Sequence, residues 1–147
     1  MDDLISKGAA KEMIVVVPNG SNRYLGSFYT NSSVSGNWED YIYRDVVSFI
    51  DDTYRTITKP ASRGIAGHSM GGYGALMLAM RQRGIFIDVG QFDEFSHIRI
   101  ASRAFSAELA AKGVPHTFEM YEGDHANKIR ERFEQHVVPF FARVLEF

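Results

Sequence analysis

The stretch GIAGHSMGGYGALMLAM, residues 64–80, places one serine among five glycines, between a short apolar run and a helix-like segment. Within it, residues 67–71 read Gly-His-Ser-Met-Gly and fit the pattern G-x-S-x-G. Between a strand and a helix, this pattern forms a sharp turn that exposes the serine hydroxyl. The flanking segments, 63–67 and 70–82, predict that strand and that helix. The sequence therefore predicts a nucleophile elbow with Ser69 at its tip.

The glycines around Ser69 have separate predicted roles. Side chains at positions 67 and 71 would collide with the neighbouring strand and helix, so glycine is expected at both. Gly72 and Gly74 lie beyond the motif, and close packing of the helix on the sheet would account for them. The turn also directs the N–H of Met70 toward a reacting carbonyl, at the positive end of a helix dipole. Met70 is therefore a candidate oxyanion donor.

The composition is that of an ordinary globular protein. The chain has 147 residues, 45% hydrophobic and 23% charged, which fits one domain spanning 1–147. A formal charge of -2 provides no basic field for nucleic acid. The apolar runs are too short to cross a bilayer, and the acidic first residues do not resemble a secretory signal. We therefore expect no nucleic-acid or membrane partner and a cytoplasmic location.

Strand and helix patterns alternate along the chain. Strands are predicted at 12–20, 63–67, 85–90 and 116–123. Helices are predicted at 37–55, 70–82, 98–113 and 127–147. Asn37 and Gly84 are candidate helix caps, and Pro139 should bend or divide the last helix. Because strands that alternate with helices build parallel strand–helix–strand units, the sequence predicts an α/β fold with about four parallel strands.

A serine nucleophile needs a base that a third group orients. Elbow hydrolases carry these residues in the order Ser, then Asp or Glu, then His. His125 follows the fourth predicted strand, and Asp93 follows the third, at strand ends where sites collect. Asp88, inside the third strand, is the main rival for the acid, and Glu94 is a weaker one. Asp93 could instead only cap the following helix.

The other ionisable neighbours are expected to be structural or solvated. Asp124 adjoins His125 in sequence, which places its side chain poorly for holding that imidazole. His68 should pack under the elbow, and it is also a candidate substrate contact. The remaining histidines begin a loop, begin a strand or lie inside the last helix: His97, His116 and His136.

These stretches together resemble the esterase D and putative-esterase branch of the α/β-hydrolases. The resemblance rests on MIVVVPNG, GNWEDYI, the extended elbow, IFIDVGQFDEF and GVPHTFEMYEGDH, and it covers nearly the whole chain. It implies the roles that position and chemistry also indicate: Ser69 as nucleophile, Asp93 as orienting acid and His125 as general base.

Two departures from this family pattern concern the sheet and the oxyanion site. Family members carry an opening strand whose His-Gly loop donates a second oxyanion N–H, and no histidine here precedes a glycine. They also carry another strand after the elbow helix. Without both strands, a contiguous four-stranded parallel sheet could remain, with apolar edges that favour a homo-oligomer. The second donor would then come from the exit loop of the first strand, at Asn19, Gly20 or Ser21.

The function predicted from these residues is hydrolysis of small or short-acyl carboxylic esters through an acyl-enzyme. No metal and no organic cofactor is implied. The aromatic side chains Tyr24 and Trp38 are candidate substrate contacts. The alternative is a non-catalytic fragment or interaction module that keeps the elbow as a remnant of the fold; acyl transfer is the nearest catalytic neighbour.

Overall fold

The computed structural model describes residues 1–79 and 85–147, which form two compact units. The sheet unit contains Met1–Ala10 and residues 85–144, and the serine unit contains residues 11–79 and Leu145–Phe147. The candidate cap Gly84 and the end of the predicted 70–82 helix lie outside the described residues.

The secondary structure alternates between helices and short strands. The helices of the described residues are α1 (Asp2–Ser6), α2 (Trp38–Asp40, then π-helical Tyr41–Val46, then Val47–Thr53), α3 (Met70–Ala79), α4 (Ser96–Ala111) and α5 (Ile129–Arg132, then π-helical Phe133–Val137, then Val138–Val144). The strands are β1 (Asn31–Ser32), β2 (Gly36–Asn37), β3 (Ile85–Gly90) and β4 (His116–Tyr121), and a 3₁₀ turn occupies Pro60–Ser62. Among these helices, none has the length and hydropathy needed to cross a bilayer.

The sheet unit is built on a strand–helix–strand unit. β3 and β4 pair in parallel, from Ile85 opposite His116 to Gly90 opposite Tyr121, and α4 connects them. Both strands were predicted, although β4 ends two residues earlier than expected. Three apolar side chains are buried where α4 covers the strands, namely Ile87, Val89 and Leu109. The parallel pair places the loops after both strands at the same edge of the sheet.

The two other predicted strands do not form. Residues 12–20 and 63–67 belong to no hydrogen-bonded ladder, and the parallel sheet of the described residues has two strands. The expected contiguous four-stranded sheet is therefore wrong. The aliphatic run from Ile14 to Val17 is exposed, with Val17 at 88%. An apolar segment is buried as a strand only where neighbouring strands and helices cover it. Among the described residues, no strand pairs with residues 12–20.

Helix α2 confirms the predicted helix, but a different residue caps it. The Asn37 side chain makes no capping hydrogen bond. Instead, Asn31 Oδ1 accepts hydrogen bonds from the backbone N–H groups of Glu39 and Asp40, at 3.0 and 3.2 Å. The antiparallel pairing of Asn31 with Asn37 brings the Asn31 carboxamide to the helix start. A cap supplied from across a ladder leaves no signature at the helix boundary itself.

Helices α4 and α5 follow their predictions closely. α4 begins two residues before the predicted start and ends at Ala111, and Gly113 follows its C-cap with φ +66°. The N–H of Val114 donates to the Leu109 carbonyl at 2.9 Å, which closes a Schellman-type end. α5 is not divided at Pro139, because a π-helical turn at Phe133–Val137 precedes the proline and the helix continues to Val144.

Candidate active site

Ser69 has the strained backbone that a nucleophile elbow requires. Its φ is +53°, a value that residues other than glycine seldom adopt and that costs on the order of 1–3 kcal/mol. Helix α3 begins at the next residue, and the N–H of Tyr73 donates to the Ser69 carbonyl at 3.1 Å. The Ser69 residue is exposed. The chain therefore turns sharply into the helix and presents this serine at the surface of the serine unit.

The tight turn explains Gly67 but not Gly71. A Cβ at Gly67 would overlap the backbone of Gly71 and would lie 2.8 Å from the Gly72 nitrogen. A Cβ at Gly71 would meet open space. The predicted collision is therefore confirmed at position 67 and wrong at position 71. The two positions differ because the backbone of Gly71 packs against Gly67, whereas the missing side chain of Gly71 would point away.

Gly74 is explained by an aromatic ring rather than by helix–sheet packing. A Cβ at Gly74 would lie 2.8 Å from Tyr29 Cγ and 2.9 Å from Tyr29 Cβ. Gly72 allows a close approach to Gly67, since its own Cβ would lie 3.2 Å from the Gly67 carbonyl oxygen. The loop that carries Tyr29 therefore packs on the first turns of α3.

The candidate oxyanion donors lie in the same unit as Ser69. Met70 is the first residue of α3, so its N–H belongs to the four that a helix leaves without an intrahelical acceptor. In the PNG turn, Asn19 Oδ1 accepts a hydrogen bond from the Ser21 N–H at 3.0 Å. That bond engages the Ser21 amide within the turn. Asn19 and Gly20 are consequently the better candidates for a second donor.

The predicted substrate contacts occupy different surroundings. Tyr24 is half exposed, with the Arg23 guanidinium over its ring and hydrogen-bonded to its hydroxyl at 2.7 Å. Trp38 is partly buried, and its indole N–H donates to the Ser35 carbonyl at 2.7 Å. His68 is exposed, so the expectation that it packs under the elbow is wrong.

In the sheet unit, His125 and Asp93 form a hydrogen-bonded pair. His125 Nδ1 lies 2.8 Å from Asp93 Oδ2, and the Asp93 side chain is 3% exposed. The other carboxylate oxygen, Oδ1, accepts a hydrogen bond from the Phe95 N–H at 2.8 Å. Asp93 therefore binds the imidazole with one carboxylate oxygen and the backbone before α4 with the other. The sequence had presented the triad role and the capping role as alternatives. The Phe95 ring meets the imidazole edge to face, with centroids 4.9 Å apart.

Backbone contacts hold the two loops that carry this pair together. The N–H of Gln91 donates to the Tyr121 carbonyl at 2.8 Å, and the N–H of Phe92 donates to the Gly123 carbonyl at 2.9 Å. Gly90 lets the loops approach, since a Cβ there would lie 2.5 Å from the Asp124 carbonyl oxygen. The parallel pairing of β3 and β4 thus continues beyond the strands and fixes the distance from Asp93 to His125.

Asp124 stabilises the histidine loop rather than the imidazole. Its Oδ1 accepts hydrogen bonds from the N–H groups of Ala126 and Asn127, at 2.8 and 2.7 Å. These two bonds, with a smaller contribution from the neighbouring His125, lower the pKa of Asp124. Its carboxylate is thus held against the backbone of the loop, which agrees with the expectation that it is poorly placed to orient His125.

Comparison with known proteins relates the chain to a family. The family described as Putative esterase matches residues 1–98 of the 147. The chain belongs to this esterase family. Esterase MT1326 and Esterase Rv1288, from Mycobacterium tuberculosis strains CDC 1551 / Oshkosh and ATCC 25618 / H37Rv, are each 37% identical to it over 82 residues. That match covers 53% of this chain and only 17% of either relative.

A solved structure confirms the fold of this esterase-family chain. A protein titled ferulic acid esterase superposes with a TM-score of 0.84 at 23% identity, over 98% of this chain and 75% of that one. Likeness at this identity is evidence of a shared fold alone. The α/β class and the resemblance to the esterase branch of the α/β-hydrolases are both confirmed.

The sheet unit of this esterase-family chain also contains a charged cluster that the sequence pattern did not predict. Arg132 is buried at 8% exposure, and its Nε donates to Asp88 Oδ2 at 2.7 Å. It also contacts Glu119 Oε2, and its Nη1 lies 2.9 Å from His136 Nε2. Burial alone would lower the pKa of Arg132, but the hydrogen bonds and charges of Glu119 and Asp88 raise it. Asp88 therefore binds Arg132, and the carboxylate that contacts His125 is that of Asp93.

A signal for this cluster was present in the strands. Asp88 and Glu119 are opposite residues of β3 and β4, and two carboxylates placed side by side on a sheet favour a cation between them. The burial of Tyr121 and the nearby Asp88 charge raise the pKa of that phenol, which faces the same guanidinium at 4.9 Å.

The remaining histidine and carboxylate candidates lie outside the His125–Asp93 pair. His116 bonds through Nε2 to the Ser106 hydroxyl and through Nδ1 to the Val114 carbonyl, at 2.8 and 3.0 Å. His97 and Glu94 are exposed. Among residues 1–79 and 85–147, no group of three or more His, Asp or Glu side chains is arranged to hold a metal ion.

Proposed function

We propose that this chain is a serine carboxylic ester hydrolase acting on small or short-acyl esters, with Ser69 as nucleophile, His125 as general base and Asp93 as orienting acid. The observation that carries the proposal is the left-handed backbone of Ser69 immediately before α3. Such strain persists only where the surrounding structure enforces it, and it clusters at functional sites. Membership of an esterase family supports the same reaction class.

The hydrogen bond between His125 and Asp93 indicates which imidazole nitrogen acts as base. Because Nδ1 faces the Asp93 carboxylate, Nδ1 carries the proton and donates a hydrogen bond to Oδ2. Nε2 then carries the lone pair that accepts a proton in the reaction. Asp93 fixes this tautomer and stabilises the imidazolium that forms when Nε2 accepts a proton.

The reaction runs in two halves. Ser69 Oγ bonds to the ester carbonyl carbon while His125 Nε2 takes the hydroxyl proton, and the carbonyl oxygen becomes an oxyanion. The oxyanion collapses, the bond to the alcohol oxygen breaks, and the alcohol leaves with the proton from Nε2. Water then attacks the acyl-enzyme and gives a proton to Nε2. The carboxylic acid leaves, and the proton returns to Ser69.

Backbone amides stabilise the oxyanion in this proposal. The Met70 N–H is the first donor, at the positive end of the α3 dipole. The second donor is the amide of Asn19 or Gly20. The loss of one such donor typically costs on the order of 10²–10³ in kcat, so the second donor decides how active the chain is.

A fluorophosphonate probe tests the proposal directly. We expect one probe per chain, attached to the peptide that contains Ser69, and no labelling of the Ser69→Ala variant. Ser33→Ala, an exposed serine in the loop between β1 and β2, serves as the control and should label like the wild type. A folded wild-type chain that remains unlabelled would favour the non-catalytic alternative.

A further inference from the structure

The loop before β1 contains three residues in an unfavourable backbone conformation. Leu25, Phe28 and Tyr29 have φ values of +63°, +51° and +52°. Each of these residues costs roughly 1–3 kcal/mol in that region, and aromatic residues are rare there. Phe28 and Tyr29 are the central residues of a turn that the Thr30 N–H closes by donating to the Ser27 carbonyl at 3.4 Å. A turn with positive φ at both central residues usually carries Gly, Asn or Asp there, so two aromatic residues need compensating side-chain contacts.

Tyr29 contacts two glycines that lie far apart in the sequence. Its ring lies on Gly74, one turn into α3, where a Cβ would lie 2.8 Å from Cγ. Its hydroxyl lies on Gly20, where a Cβ would lie 2.6 Å from the oxygen. The Tyr29 side chain therefore spans the space between α3 and the PNG turn, and both ends meet backbone that carries no side chain.

The rest of the loop holds Tyr29 in this position. Ser27 is buried, and its hydroxyl accepts a hydrogen bond from the Tyr29 N–H at 3.1 Å. Gly26 packs against the end of the Met70 side chain. The Phe28 ring meets the Tyr73 ring edge to face, with centroids 5.7 Å apart. Contacts on both sides of Tyr29 thus attach the loop to the first turn of α3.

We propose that Tyr29 is a positioning residue that sets the second oxyanion donor, by holding the Asn19–Gly20 turn at a fixed distance from the Met70 amide. The inference rests on the proposed function of Ser69. Met70 begins α3, Gly74 lies one turn further, and Gly20 belongs to the turn that supplies the second amide. The rigid Tyr29 ring between Gly74 and Gly20 therefore fixes the distance between the two donor amides.

The physical reason is the narrow geometry of an oxyanion site. Both donors must lie about 2.7–3.1 Å from the developing charge, so a shift of about 1 Å forfeits one hydrogen bond. A phenol ring resists such a shift because it has few rotatable bonds and sits between backbone surfaces. Tyr29 does not touch the substrate in this arrangement, so its loss should slow the chemistry without weakening substrate binding.

Kinetics of three variants provide the first test. With p-nitrophenyl acetate, Tyr29→Ala should lower kcat by about 10- to 100-fold with KM within about threefold. Tyr29→Phe keeps the ring on Gly74 and should retain at least about a third of the wild-type kcat. Leu25→Ala alters an almost fully exposed side chain in the same strained loop and should behave like the wild type.

Active-site titration separates positioning from loss of folded protein. If Tyr29 only stabilised the fold, Tyr29→Ala would label fewer molecules with the fluorophosphonate. A positioning role predicts full labelling of Ser69 at a reduced rate. Wild-type kcat in Tyr29→Ala, or a fall confined to the number of labelled molecules, would overturn the inference while leaving the proposed function intact.

Amide hydrogen exchange, followed by NMR of the ¹⁵N-labelled full chain, tests the geometry without activity. We expect faster exchange at Asn19 and Gly20 in Tyr29→Ala, wild-type exchange in Leu25→Ala, and unchanged exchange in β3 of all variants. Unchanged exchange at Gly20 would overturn the inference. If the wild type is neither labelled by the probe nor active on the ester, the proposed function fails. Faster exchange at Gly20 in Tyr29→Ala would then assign Tyr29 a purely structural role and overturn its role in catalysis.

Discussion

Asp93 Oδ2 lies 2.8 Å from His125 Nδ1, although 32 positions separate the two residues in the chain. The pair forms where the loops after β3 and β4 leave the same edge of the parallel sheet. Asp88, five residues earlier and inside β3, is bonded to Arg132 instead. Asp93 therefore holds the His125 imidazole, whereas Asp88 holds the buried Arg132 guanidinium. Substitution of Asp93 should affect catalysis, and substitution of Asp88 should affect stability.

We predict that Asp93→Asn lowers kcat/KM by roughly 10²–10⁴, because the amide cannot hold the imidazole in the required tautomer. Asp88→Asn should leave kcat/KM within about threefold and lower the thermal midpoint, because it removes a partner of buried Arg132. Steady-state kinetics and thermal melts of both variants check this. The opposite ranking in kcat/KM would assign the orienting role to Asp88.

Ser69→Ala should reduce hydrolysis of p-nitrophenyl acetate by at least about 10³-fold. The fold should survive, because alanine removes only a hydroxyl from an exposed residue whose φ is already positive. Circular dichroism accompanies the assay. Full activity in a folded variant would remove Ser69 from the mechanism.

Gly67→Ala and Gly71→Ala form a matched pair. The Gly67 variant should lose about 1–3 kcal/mol of unfolding free energy, because its Cβ would overlap the Gly71 backbone. The Gly71 variant should be neutral or more stable by up to about 1 kcal/mol, since its Cβ meets open space and alanine favours the helix. Urea unfolding measures both. Equal effects would contradict the structural distinction between the two glycines.

Arg132→Met should destabilise the chain by about 2–4 kcal/mol, because it leaves the carboxylates of Asp88 and Glu119 facing each other without a cation. Arg130→Met provides the control, since Arg130 forms a solvent-exposed pair with Glu134 and should matter little. Denaturant melts at neutral pH compare the two. A stability loss as large for Arg130→Met as for Arg132→Met would refute the role assigned to the buried cluster.

We expect the chain to associate with itself, because the run from Ile14 to Val17 exposes contiguous aliphatic surface. Light scattering at micromolar concentration should detect a homo-oligomer. Val17→Lys should weaken it, whereas Val34→Lys, a change at another exposed valine, should not. A wild-type chain that remains monomeric would disprove the expectation.

The elements that local pattern predicts correctly are those whose partners follow soon along the chain. β3, α4 and β4 are consecutive, so their periodicity, turn residues and parallel pairing agree with one another. The positions of Asp93 and His125 after those strands followed from the same reasoning. The G-x-S-x-G pattern likewise predicted a turn whose strain resides in Ser69 itself.

The elements that local pattern missed depend on residues brought from elsewhere. The run at 12–20 has the composition of a buried strand, but no neighbouring strand pairs with it. Asn31 caps α2 from across a short ladder, and Arg132 joins carboxylates of two strands from a helix beyond them both.

The sequence by itself determined the α/β class, the elbow at Ser69 and the strand ends that carry Asp93 and His125, because each is encoded within a few neighbouring residues. Only the tertiary structure decided that Asp93 rather than Asp88 meets the imidazole, and that Tyr29 rather than the sheet occupies the space at Gly74. Such contacts join residues tens of positions apart. Their geometry depends on how the whole chain packs, which periodicity along the sequence does not record.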